Sequence, residues 1–130
     1  DAMNRIATAL LCGCALPALL IQAAHANPVG GTVAQGAAAI TSNGKTLTVD
    51  QKTKIVIVNW NSFNIGTGET TRFNQPGSNA TAVNRIGGGD PAQILGNLSA
   101  NGRVILIDSN GILFGPNARV NAASLIATPA

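Results

Sequence analysis

From residue 46 onward, apolar and polar positions alternate in short bursts, each closed by Gly, Asn or Pro. Such bursts predict short β-strands joined by turns, and nothing after residue 26 keeps the apolar spacing of an amphipathic helix. The pattern places strands at Thr46–Val49, Ile55–Trp60, Phe63–Ile65, Thr70–Phe73, Ala80–Ile86, Arg103–Ile107, Ile112–Phe114, Arg119–Asn121 and Ser124–Ala127. Turn signals separate them at Asn43-Gly44, Gly66-Thr67-Gly68, Gln75-Pro76-Gly77, Asn101-Gly102, Asn110-Gly111 and Gly115-Pro116-Asn117. One helical turn is expected at Asp90-Pro91-Ala92-Gln93. Asp90 suits the cap, Pro91 the first helical position and Gln93 a capping box, with Gly96 as the stop.

Two architectures use many short strands, the antiparallel sandwich and the parallel solenoid. Sandwich strands alternate over longer runs and meet at tight hairpins. After residue 103 the segments are brief and the bends between them equally brief, the rhythm of a chain turning corners around a coil. Thirteen of the residues from 27 to 130 are Asn, which tolerates left-handed corners and can form ladders between stacked coils. Ile55-Val56-Ile57-Val58 and Val104-Ile105-Leu106-Ile107 are apolar on both faces, so a covering element or partner is expected over their outer side.

The first 26 residues read differently. Arg5 precedes an apolar run from Ile6 to Ile21, and the segment ends Ala24-His25-Ala26. A basic start, a short apolar stretch and small residues at the end describe a secretory signal peptide, with cleavage expected between Ala26 and Asn27. The run contains Pro17 and falls short of the ~20 residues that span a bilayer. Cleavage removes Cys12, Cys14 and His25, leaving 27–130 without a thiol or an imidazole. An exported chain without cysteines lacks the usual disulfide staple. It also cannot be locked by oxidation before it is threaded through a pore.

The chain of 130 residues has room for one domain, and its net charge of +3 arises from few, scattered charges. A hydrophobic content of 45% excludes a disordered polyelectrolyte, and the lack of any Lys/Arg cluster argues against nucleic acid as a partner. Catalysis is poorly provided for. The carboxylates after the leader are Asp50, Glu69, Asp90 and Asp108, with no spacing that pairs them, and the best general base and nucleophile are missing. No metal-ligand spacing is present. Gly87-Gly88-Gly89 lacks the continuation of a phosphate loop, and Trp60 closes an apolar strand as a core residue would. No cofactor is expected.

Several motifs taken in order carry a resemblance. They are Val58-Asn59-Trp60-Asn61-Ser62-Phe63-Asn64-Ile65, Gly68-Glu69-Thr70-Thr71-Arg72-Phe73, Asn84-Arg85-Ile86, Gly88-Gly89-Asp90-Pro91 and Gln93-Ile94-Leu95-Gly96. Ser99-Ala100-Asn101-Gly102 and Asn110-Gly111-Ile112-Leu113-Phe114-Gly115-Pro116 complete the series. From Asn27 on, the chain resembles the amino-terminal secretion domain of two-partner-secretion exoproteins, the filamentous haemagglutinin-like adhesins. The resemblance implies an all-β fold: a right-handed parallel β-helix with an N-terminal cap and extra-helical hairpins. It implies passage by the general secretory machinery, processing by signal peptidase, and recognition by an outer-membrane barrel with periplasmic polypeptide-transport domains. The exoprotein then folds at the cell surface and meets a receptor on a host or neighbouring cell.

Asn64, Asn84, Asp108, Asn110 and Gly111 are the expected transporter-recognition or turn-determining positions. Where the family has Asn-Pro-Asn-Gly this chain has Asp108-Ser109-Asn110-Gly111, which still suits a type I turn. Ile105 stands where an aromatic is commoner, and the chain stops before the family's domain ordinarily ends, so a truncated β-helix is expected. The competing readings are a carbohydrate-active β-helix lyase, which needs clustered acids and an Arg base, and a truncated remnant with an open, aggregation-prone end.

Overall fold

A computed structural model describes residues 26–129, and every regular element among them is a strand. The expected leader up to His25, with Ala24, lies outside the described residues. In chain order the strands are β1 Thr32–Gln35, β2 Ala38–Asn43, β3 Thr46–Gln51, β4 Ile55–Trp60, β5 Thr70–Asn74 and β6 Thr81–Ile86. They continue as β7 Ala92–Ile94, β8 Asn97–Ala100, β9 Arg103–Asp108, β10 Ile112–Phe114, β11 Arg119–Asn121 and β12 Ser124–Thr128.

The strands stack into a β-solenoid of about four coils. One side is the parallel ladder β4-β6-β9-β12 and a second is β3-β5-β8-β11. The short third side pairs β7 with β10 and reaches the first coil through a parallel bridge from Ile65 to Ile94. Two strands run against this grain at the amino-terminal end. β2 turns back through Gly44-Lys45 to lie antiparallel on β3, and β1 lies antiparallel on β4. They cap the first coil and occupy edges that parallel pairing would leave open.

Side chains that point inward stand in columns, because each parallel register places one coil over the next. Leu47, Thr71, Leu98 and Val120 form one column, and Val56, Ala82, Val104 and Leu125 another. Burial of these aliphatic columns is the main stabilising term, at roughly 25 cal/mol per Å² of apolar surface. Trp60 meets Phe63 edge-on at 5.6 Å, and Phe63 stacks on Phe73 at 6.5 Å, filling the wide corner of the early coils. Trp60 is 2% exposed and is therefore core, as its position in the sequence implied. At the far end the interior side chains Phe114 and Val120 are each 40% exposed, since no described coil stacks beyond them.

Three expectations need correction. Asp90–Gln93 forms no helical turn: Ala92–Ile94 is strand β7, because parallel pairing with β10 and the bridge to Ile65 outweigh the local capping pattern. Phe63–Ile65 is not a strand and contributes only that bridge. The doubly apolar strands are also not covered by any described element. Ile57, Val83, Ile105 and Ile126 instead pack side by side along the outer face of one ladder, and Ile126 remains 53% exposed. Cross-strand contact between β-branched neighbours supplies part of the burial that a cover would give.

Candidate functional site

Polar side chains lie in three seams, two where the coils turn and one inside a sheet. The first runs down the corner between the two large sheets. Gln51, at the end of β3, donates through Nε2 to the carbonyls of Thr53, Lys54 and Thr81 at 2.7–3.0 Å. Its Oε1 accepts from Gln75 Nε2 at 3.1 Å, one coil on. Gln75 Nε2 also donates to the carbonyls of Ala80 and Arg103, and its Oε1 accepts from Gly102 N at 2.8 Å. Asn101 closes the seam, accepting from Gln75 N and donating to Gln75 O, both at 2.7 Å. Gln51 and Gln75 are buried, so these bonds satisfy amides that would otherwise cost free energy to desolvate.

The second seam lies inside the ladder. Asn84 occupies the column of Val58 and Leu106 and is fully buried. Its Oδ1 accepts from Trp60 Nε1 at 2.9 Å and its Nδ2 donates to Ile105 O at 3.3 Å. Asn84 is therefore mid-strand in β6 and joins three coils; it lies at no corner and on no surface of the folded molecule.

The third seam contains the remaining candidate residues. Asp108 O accepts from Gly111 N at 2.9 Å, closing a four-residue turn, and Asp108 Oδ1 accepts from Asn110 N at 2.9 Å. Gly111 has φ +101°, which a side chain would strain. Asn110 Nδ2 then donates back to Gly88 O at 3.0 Å, fastening this turn to the one below. Gly111 O accepts from Ala92 N, while Asn64 Oδ1 accepts from the adjacent Gln93 N at 2.9 Å. Asn64 and the Asp108–Gly111 turn thus act on neighbouring residues of β7, from the coil before and the coil after. Asp108 itself is fully buried, and its Oδ2 has no hydrogen-bond partner among the described residues.

The amino-terminal end is anchored separately. Asn27 is buried, donating through Nδ2 to Lys45 O at 2.9 Å and accepting from Thr71 Oγ1 at 3.1 Å. Glu69, only 6% exposed, accepts from Gly66 N at 2.8 Å and from Ala26 N at 3.0 and 3.1 Å. From the sequence Gln75 and Asn101 read only as turn residues and Glu69 only as one of four scattered carboxylates, and Gln51 was not singled out. A signal was present: Asp50-Gln51 and Asn74-Gln75 repeat at the 24-residue offset at which Asn74 Nδ2 bonds Asp50 Oδ1.

A stack of parallel coils, capped at one end and riveted by amides at its bends, defines the class: a β-solenoid module, with no group of three or more potential metal ligands among the described residues. The family model for the TPS secretion domain matches residues 24–130, and the chain belongs to that family. It is the secretion domain of a two-partner-secretion exoprotein, exported across the outer membrane to the cell surface or beyond, and its family implies a cognate outer-membrane transporter. The family is one of secretion domains rather than enzymes.

Among curated relatives, a heme/hemopexin-binding protein of Haemophilus influenzae (strain Rd) is 42% identical over 101 residues, 78% of this chain and 11% of that protein. A second Haemophilus influenzae heme/hemopexin-binding protein is 40% identical over 82 residues, 63% of this chain and 9% of its own length. The crystal structure of the HMW1 secretion domain from Haemophilus influenzae superposes with a TM-score of 0.76 at 31% identity, covering 79% of this chain and 27% of that one. The chain therefore spans about a tenth of the length of the curated relatives it matches.

Proposed function

We propose that the residues from Asn27 onward address a larger exoprotein to its transporter while unfolded, and that folding outside the cell gives the passage its direction. The observation that carries this reading is the dependence of buried amides on the coil that follows them. Gln51 is completed by Gln75 and Thr81, Gln75 by Gly102 and Arg103, and Asn84 by Ile105. Each coil that emerges leaves polar groups unsatisfied until its successor docks, so every new coil locks the previous one. A domain stability of ~5–15 kcal/mol is ample to bias a reversible threading step. In the periplasm, an extended Asn- and Thr-rich segment adds as a strand to a sheet edge of the transporter's polypeptide-transport domains. Asn64, Asn110 and Gly111 are the positions we assign to that recognition. Asn84 and Asp108 serve the fold that comes afterwards.

The test is export through the cognate transporter. Replacing Asn110 by Ala and Gly111 by Val together is expected to leave the exoprotein in the periplasm. Undiminished appearance in the medium refutes their role in recognition and in the turn alike.

A second reading concerns the exoprotein as a whole. Both curated relatives are named for binding heme and hemopexin, and haem capture by the full-length exoprotein is the activity we propose. That activity lies outside this module, because residues 27–130 contain no His, Cys, Met or Tyr to ligate haem iron. Haem titration of the secreted exoprotein should give a Soret shift that survives exchange of this module for that of another exoprotein. Loss of the shift on exchange would place the ligand here instead.

A further inference from the structure

We propose that Glu69 is the acceptor for the α-ammonium group created when the leader is cut between Ala26 and Asn27, so that processing completes the amino-terminal cap. Three observations converge on this carboxylate. It is almost fully buried at the start of the second coil. It receives the Gly66 N–H from its own turn, and both its oxygens receive the N–H of Ala26, the last residue of the expected leader. The residue that becomes the new terminus is already fixed beside it. Asn27 is held by Lys45 O and Thr71 Oγ1, and Pro28 behind it is buried and limits the backbone of Asn27 to extended conformations.

The chemistry balances without any further reactant than the peptidase's water. The bond from the Ala26 carbonyl carbon to the Asn27 nitrogen breaks. Hydroxide adds to the carbon and the nitrogen gains protons, so a carboxylate departs with the leader and an ammonium stays on Asn27. Glu69 thereby loses the neutral donor Ala26 N–H. Backbone nitrogens of consecutive residues lie within about 3.6 Å of one another, so a small rotation brings the new cation to the same oxygens. A charged donor on a buried carboxylate is shorter and roughly twice as strong as the neutral one it replaces. Gly66 leaves the necessary room, since a methyl group on it would lie 2.8 Å from Glu69 Oε1.

The inference rests on the export reading, and the test uses exoprotein already recovered from the medium, so a failure of export is seen before any labelling begins. Mass analysis of the amino-terminal peptide is expected to show Asn27 first. An amine-acylating ester near neutral pH should then label the Asn27 α-amine several-fold more slowly in the folded wild type than in Glu69→Gln. A Gly-Ser-Gly-Ser insertion after Ala26 keeps Glu69 but carries the amine away from it, and should label as fast as the same protein in urea. If Glu69→Gln is not exported, this insertion variant carries the comparison. A different first residue overturns the proposal, as does equal labelling of the wild type and the variants.

Discussion

A single side chain, Gln75, ties three coils together. Its Nε2 reaches Gln51 before it and Arg103 after it, while its Oε1 takes the N–H of Gly102. Gln75→Leu keeps much of the volume but orphans Gln51 Oε1 and Gly102 N inside the corner. The expected loss is about 2–4 kcal/mol in urea denaturation, because stranded buried groups cost more than the bonds contribute. Asp108 points the other way. Its Oδ1 holds the turn through Asn110 N, but its Oδ2 is buried without a donor. Asp108→Asn retains the turn acceptor and removes the buried oxygen that lacks a donor, so the urea midpoint should rise, by about 1–2 kcal/mol in stability. A lower midpoint would show that the carboxylate is satisfied in solution. Trp60 was readable as core from its place at the end of an apolar strand. Gln75 was not, since Gln75-Pro76-Gly77 has the composition of an exposed turn and burial depends on which corner the turn occupies.

Among the elements, regular alternation made Thr46–Gln51 and Arg103–Asp108 legible, and short bursts between turn signals made Ile112–Phe114 and Arg119–Asn121 legible although their side chains stay largely exposed. Thr32–Gln35 and Ala38–Asn43 escaped because the cap is built from small and polar residues that stay largely exposed. Their strand character comes from pairing with β4 and β3, which no local pattern announces. The turn-forming role of Asp108, Asn110 and Gly111 was legible, because the four-residue spacing states it. The interior place of Asn84 was not, because an amide beside Arg85 reads equally as part of an exposed polar stretch. Close approach of the strand connections adds a further constraint. Gly96 sits where a methyl group would collide with Gly66 O and lie 2.6 Å from Glu69 O. Gly96→Ala must push the second and third coils apart, and a fall in the thermal midpoint equivalent to about 1–3 kcal/mol is expected. An unchanged midpoint would mean that the corner yields.

Across the whole molecule, stability follows position in the stack. β5, β6, β8 and β9 have parallel partners on both sides, whereas β11 and β12 have a described partner on one side only. Hydrogen exchange of a chain ending at Ala130 should therefore show the slowest amides in the inner four strands and the fastest in the last two. Uniform protection would contradict a coil-by-coil dependence.

The stacking also dictates a mechanical response. Because successive coils lie along one axis, tension applied between the two ends loads the last coil's ladder first and peels bonds off in sequence rather than shearing them together. With 24 residues between Asn74 and the Asp50 it bonds one coil below, that rupture frees roughly 80 Å of extended chain. A pull on such a spool would give a series of low steps in force, longer for the 27-residue winding from Thr70 to Asn97 than for the 21-residue winding from Arg103 to Ser124, and a narrow channel could reel the molecule in or out one winding at a time.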